Sequence, residues 1–186
     1  MPRRPLLAEV PVSTDQAGEP PRLAGNRVAN VFTSLCTDVD DPIARLRQIH
    51  EHMLAGKELN RALGPELFRL WTEHTPPRAF AWVVRQYARL RIADLHPPPI
   101  NVIVSSVPGP RERLYWTEGS LCALYSVGPL VDGVGLNVTA WSYIDRLNVG
   151  LLACPDRLAN LDELAERMRA ALAELLHAVT PAARSA

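Results

Sequence analysis

Apolar positions recur at helical spacing in four stretches of this chain and at strand spacing in five, and their order sets the fold class. Asn30 to Thr37 is dense in β-branched and apolar residues and predicts a strand. Asp41-Pro42 then starts a helix: Asp41 suits the N-cap, and Pro42 suits the first helical position because its missing N–H costs nothing there. Ile43, Leu46, His50 and Met53 follow at helical spacing, which predicts a buried stripe with Arg45, Arg47 and Glu51 in water. Residues 65–95 predict two further helices separated at Pro76-Pro77. In the second, Phe80, Val83, Val84, Tyr87 and Leu90 share one face, and Arg78, Arg85 and Arg89 share the opposite one. The run Pro97-Pro98-Pro99 ends this helical region, since each ring blocks a helical hydrogen bond and restricts the residue before it.

From Ile100 the period shortens to that of strands. Ile100 to Val107 is mostly apolar, as in a strand covered on both faces. Pro108-Gly109 predicts a type II turn, with glycine taking the positive φ of its second central residue. Gly119 to Val127 predicts another strand, and Gly135–Ile144 with Leu147–Ala153 a hairpin. Along the first arm of that hairpin, Leu136, Val138, Ala140 and Ile144 alternate with Asn137, Thr139, Trp141 and Tyr143. Asp145 stands at the turn and tolerates left-handed backbone better than most residues, so the turn is expected to form. Asn160 to His177 is a last amphipathic helix, capped by Asn160 with Glu163 three residues on and striped by Leu161, Leu164, Met168, Leu172 and Leu175. Strand, helices, then mostly strands and a closing helix make a mixed α/β layer with no internal repeat.

The chain has 186 residues, enough for one well-packed domain and short for two. Residues 1–25 read as a mostly irregular segment cut from within a larger protein, 26–179 as the domain, and 180–186 as a frayed tail. Lys plus Arg and Asp plus Glu both total 20, so no basic excess points to nucleic acid. Cys36, Cys122 and Cys154 are odd in number and form no CxxC pair, which argues against a disulfide framework or zinc knuckle and for a reducing, cytoplasmic location. There is no apolar run of about 18 residues for a membrane span. Contact with a membrane or lipid droplet is therefore expected to be peripheral at most.

Local catalytic motifs are missing. No GxSxG elbow, P-loop or complete dinucleotide fingerprint is present; Gly133-Val-Gly135 lacks the third glycine and opens a strand. His50 and His52 lie two apart, roughly 200° around a helix, so they cannot share a metal as an i, i+4 pair would. His50 reads as a core-edge histidine, and His74, His96 and His177 sit at element ends without a local partner. Cys122 and Cys154, in predicted strands, read as small hydrophobes. The Arg78/Arg85/Arg89 face fits either an ordinary solvated face or a surface for anionic lipid or coenzyme A phosphates. No metal site and no catalytic residue emerge from the residues themselves.

The run Asn101-Val-Ile-Val-Ser-Ser-Val-Pro-Gly-Pro110 resembles the N-x-x-x-(S/T)-N-V-P-G-P signature of the C-terminal region of wax ester synthase/diacylglycerol acyltransferases (WS/DGAT). Further segments agree in order: Val10-Pro11-Val12-Ser13, Gly25-Asn26-Arg27, Asp41-Pro42 with Leu46 and Lys57, Leu114-Tyr115 with Gly119, Gly128-Pro129-Leu130 with Gly133, Gly135-Leu136-Asn137, Ser142-Tyr143, Leu147 and Gly150. Ser106 departs from the pattern, standing where the family usually has Asn.

The resemblance implies the C-terminal lobe of a two-lobed, chloramphenicol-acetyltransferase-like, CoA-dependent acyltransferase fold: a mixed sheet with flanking helices. It implies acyl transfer from acyl-CoA, a co-substrate and not a bound cofactor, to diacylglycerol or a long-chain alcohol. In that family a His-His-x-x-x-Asp-Gly motif of the N-terminal lobe supplies the general base, and this chain has no two adjacent histidines. The residues expected nearest the groove between lobes are Asn101, Ser105, Ser106, Pro108, Gly109 and Pro110, whose other reading is a strand end and tight turn built for their own sake. Three functions follow: a half acyltransferase needing a separate N-terminal lobe; an autonomous O-acyltransferase using His50 or His74; or a non-catalytic lipid-binding or docking module derived from the lobe.

Overall fold

The computed structural model describes residues 5–14, 28–63 and 76–180. Its elements are β1 (Leu7–Ser13), β2 (Val28–Ser34), α1 (Pro42–Leu63), α2 (Pro77–Arg89), a short 3-10 helix (Ile92–Leu95), β3 (Val102–Val107), β4 (Tyr115–Trp116), β5 (Gly119–Ser120), β6 (Leu136–Tyr143), β7 (Arg146–Ala153) and α3 (Leu161–Val179). Five strands form one mixed sheet in the order β2-β1-β3-β6-β7. The outer pairs β1–β2 and β6–β7 are antiparallel, and the inner pairs β1–β3 and β3–β6 are parallel. The mixed α/β layer expected from the sequence is the architecture observed. β1 lies within the N-terminal segment expected to be mostly irregular. The predicted helix over 65–75 lies outside the described residues.

Helix starts follow local chemistry. The Asp41 carboxylate accepts from the Ile43 and Ala44 amides (2.8 and 3.4 Å), and the Asn160 side chain accepts from the Glu163 amide at 3.0 Å. Each occupies a donor that the first turn leaves without a partner. Asn160→Ala is expected to lower stability by about 1 kcal/mol, read as a shift in the thermal midpoint.

Residues paired across a ladder point to the same side, so the registers sort the sheet into two faces. One face carries Ala8, Val31 and Val102, all buried, and continues through Ser106, Ala140 and Ser142. Against it lies α1: a Cβ at Gly56 would stand 2.5 Å from a Val31 methyl, and the Asn60 amide donates to the Asn30 carbonyl at 3.1 Å. α3 lies beside α1 along β7.

The inward side of α1 differs from the predicted stripe. Ile49, Met53, Gly56 and Asn60 are its half-buried positions there, while His50 is exposed and Leu46 is 51% exposed. The stripe is rotated by about one residue, because a glycine admits the closest approach to β2 and so sets which side faces in. His50 is therefore a surface residue and not a core-edge one. On α3, the predicted stripe is half-buried at Leu161, Leu164, Met168 and Leu175, and Leu172 stands 56% exposed.

The opposite sheet face carries Leu7, Phe32 and Ile103, and then Asn137, Thr139, Trp141 and Tyr143. Over β6 and β7 it is covered by residues 121–130, which form no ladder beyond the short β4–β5 ribbon. The strand predicted over Gly119–Val127 is thus reduced to Gly119–Ser120. Its remainder is tied down by side chains that reach up from the sheet. Cys122 lies in this covering segment and is exposed, not a strand hydrophobe.

Candidate functional site

At the C-terminal end of β3 the chain turns through Pro108-Gly109-Pro110 and runs alongside the end of β6. The Gly109 amide donates to the Ser142 hydroxyl at 3.0 Å, and the Ile144 amide donates to the Pro110 carbonyl at 3.1 Å. Gly109 does not take a positive φ, so the type II turn expected from Pro-Gly is not formed. Glycine is required for another reason: a Cβ there would overlap the Ser142 carbonyl oxygen. At the β6–β7 turn the left-handed residue is Ile144 (φ 55°), not Asp145.

From this turn a clasp of polar side chains holds the covering segment to the sheet. The Tyr143 hydroxyl, on a residue only 2% exposed, accepts from the Leu114 amide at 3.0 Å and donates to the Leu121 carbonyl at 2.9 Å. The Trp141 indole N–H donates to the Ser126 hydroxyl at 2.6 Å. The Asn137 amide donates to the Pro129 carbonyl at 3.2 Å, and its oxygen accepts from the Thr139 hydroxyl at 3.0 Å. Gly128 leaves room for the Asn137 amide, and at Gly150 a Cβ would overlap the Ser126 carbonyl. These polar groups find their partners mostly in the covering segment, and a strand alternating apolar with polar residues turns its polar side inward here.

The predicted groove residues fall at two places. Ser105, Ser106, Pro108, Gly109 and Pro110 gather at the C-terminal end of β3, where Ser106 and Pro108 are exposed and the other three half-buried. Asn101 stands at the other end, roughly 23 Å along the strand at ~3.3 Å per residue. There its side chain accepts from the Leu7 amide at 2.8 Å, while its own amide donates to the Leu7 carbonyl at 2.8 Å. Asn101 therefore joins β3 to β1 and is not brought together with the turn.

The described histidines that have partners lie at the Asn101 end as well. His52 Nδ1 is 3.7 Å from the Sγ of buried Cys36, which follows β2 where that strand pairs with the start of β1. His96, five residues before Asn101, has its Nε2 2.8 Å from the Tyr87 hydroxyl, a partner that sequence spacing did not suggest. His74 lies outside the described residues. Among the described residues no group of three or more His, Cys, Asp or Glu could hold a metal ion. What the β3 turn itself offers is backbone, Ser105, Ser106, Pro108 and Pro110, none of which is a general base by itself.

Residues 24–176 match the family model of the WS/DGAT C-terminal domain. The chain is a WS/DGAT C-terminal domain. A provisionally named diacylglycerol O-acyltransferase of Mycobacterium tuberculosis is 38% identical over 94% of this domain and 36% of its own length. An O-acyltransferase of Acinetobacter baylyi is 33% identical over 88% of the domain and 34% of its own length. Among solved structures, the wax ester synthase/diacylglycerol acyltransferase of Marinobacter aquaeolei VT8 superposes with a TM-score of 0.64 at 30% identity, covering 94% of the domain and 37% of that chain. The WS/DGAT C-terminal domain described here thus spans about a third of the length of these relatives and shares their acyltransferase-type fold.

Within the WS/DGAT C-terminal domain, the segments that first suggested the family acquire structural tasks. Gly109, Leu114, Gly128, Asn137, Ser142, Tyr143 and Gly150 are all parts of the turn and clasp. Trp141 and Ser126, outside those segments, complete it; the available signal was an indole N–H on the half-buried hairpin, which needs a partner.

Proposed function

We propose that this domain forms one wall of the substrate groove of an acyl-CoA-dependent O-acyltransferase that makes triacylglycerol or wax esters. Ser105, Ser106, Pro108, Gly109 and Pro110 line that wall, and the general base comes from a separate N-terminal lobe. The observation that carries this reading is the family membership, joined to a turn of serine, proline and glycine at the C-terminal end of central strand β3.

A second feature fits the same reading. On the sheet face away from the helices, Leu7 is 40%, Val28 46% and Phe32 63% exposed. The edge of the sheet at β2 thus presents apolar surface of the kind a partner lobe would cover. No helix among the described residues is long and apolar enough to cross a membrane.

The test is transfer from labelled palmitoyl-CoA to diacylglycerol and to a long-chain alcohol, with and without a co-expressed N-terminal lobe. Product is expected only when the lobe is present. Product from the domain alone would overturn the reading and direct the search for a base to His50 and His74. No product in either case would favour a docking or lipid-binding module.

A further inference from the structure

Among the described residues α1 and α3 pack on the sheet and α2 does not. None of its residues is buried, and its packing is with the short 3-10 helix that follows it. Phe80 is 53%, Val83 56% and Leu90 63% exposed. With Val84 and Tyr87 they make one continuous apolar strip, since each has a neighbour in the set three or four residues away. On the other side stand Arg78, Arg85 and Arg89, all exposed, with Trp82 at their edge. The helix contains no Asp or Glu, and none of the three arginines pairs with a carboxylate among the described residues.

The contrast with Arg91 and Arg157 is informative. Both pair with Asp94, at 2.8 and 3.0 Å, in a cluster beside the base of α2. A carboxylate partner is therefore supplied where the 3-10 helix meets the loop after β7, and none is supplied along α2 itself.

We propose that α2 is a docking helix for an anionic lipid surface, lying in the plane of the interface with Phe80, Val83, Val84 and Leu90 inserted. Two observations on one element favour a lipid surface over a protein partner. An apolar strip can be covered by either. A set of three cations with no counter-charge on the same helix is complementary to a dense anionic environment, which the headgroup layer supplies on both flanks of an inserted helix. Trp82 is suited to the same boundary, with a ring that tolerates headgroup depth and an N–H that finds acceptors there. This inference does not depend on the acyl-transfer reading, because it concerns where the domain sits and not what it transfers.

The test is flotation of the purified chain with vesicles of phosphatidylcholine alone and of phosphatidylcholine with phosphatidylglycerol. Binding is expected to the anionic vesicles and to fall as salt is raised from about 0.1 to about 0.5 M, as screening shortens the reach of the arginines. The triple variant R78Q/R85Q/R89Q and the double variant V83D/V84D are each expected to lose at least about tenfold in partitioning. All five positions are unburied, so both variants should keep the wild-type circular dichroism spectrum. Equal binding to neutral and anionic vesicles, or unchanged binding by folded variants, would overturn the proposal. Loss of vesicle binding when the N-terminal lobe is added would also overturn it, by showing that α2 is covered by protein.

Discussion

Gly109→Ala is expected to cost about 3 kcal/mol of stability, at the upper end of what one added methyl does in a packed site. The position is partly buried, and the new methyl would overlap a backbone carbonyl, that of Ser142, which belongs to a paired strand and cannot rotate away. Two responses are open, and both are costly. If the turn stays seated, the overlap strains β6. If it lifts, the Gly109 amide leaves the Ser142 hydroxyl and the Pro110 carbonyl leaves the Ile144 amide, a loss of about 1 kcal/mol net for each bond and more for any group left dry. For a chain of this size, 3 kcal/mol lowers the thermal midpoint by roughly 6–12 °C. Gly119→Ala is the control: its methyl would meet the Trp116 carbonyl at an ordinary 3.5 Å, and its effect should stay within about 0.5 kcal/mol. Denaturant midpoints for the two variants, with unchanged slopes, decide the matter. Equal costs would mean that the turn is not seated on Ser142. Because the turn also carries the proposed groove wall, Gly109→Ala should lower acyl transfer in the reconstituted enzyme as well.

Tyr143→Phe is expected to cost about 2 kcal/mol while removing a single oxygen. The ring remains in its buried place, so no cavity of consequence opens. What goes is the one group that ties both arms of the ribbon, the Leu114 amide and the Leu121 carbonyl, to the sheet. Each is left without its partner, and an unsatisfied group in a part-buried site costs about 1–3 kcal/mol, reduced here where water can reach the exposed Leu114. Hydrogen exchange gives the more specific reading: the Leu114 amide should exchange faster in Tyr143→Phe, while the amides of β6 paired with β7 keep their protection. A loss below about 0.5 kcal/mol with unchanged exchange would remove Tyr143 from this role. Ser142 and Tyr143 are neighbours serving one turn, so Gly109→Ala and Tyr143→Phe together should cost less than the sum of the two.

Much of the local structure was written in the sequence because its causes are local. Asp41-Pro42 and Asn160 start helices by satisfying amides two or three residues away. The change of period at Ile100 marks the passage from helix to strand, and the hairpin of β6 and β7 falls within one residue of where the alternation puts it, a difference within the ordinary uncertainty of element ends. The family, too, was legible, because its segments recur in order along nearly the whole domain.

The remainder depended on what each segment lies against, and no residue carries that information alone. The inward side of α1 was settled by Gly56 meeting Val31, a contact between residues 25 positions apart that a count of apolar residues ignores. Residues 121–127 have strand composition, yet they lie across the sheet, held by Tyr143 and Trp141, so their backbone never enters a ladder. Gly109 was recognisable as indispensable from its place after proline. Only the tertiary structure shows that the reason is the Ser142 carbonyl and not a positive φ. Of the six residues first grouped as one groove, five share the end of β3 and Asn101 does not, because an extended strand separates its two ends by its own length. Sequence fixes the period and the caps, which depend on neighbours along the chain; register, inward faces and the meeting of distant side chains depend on neighbours in space.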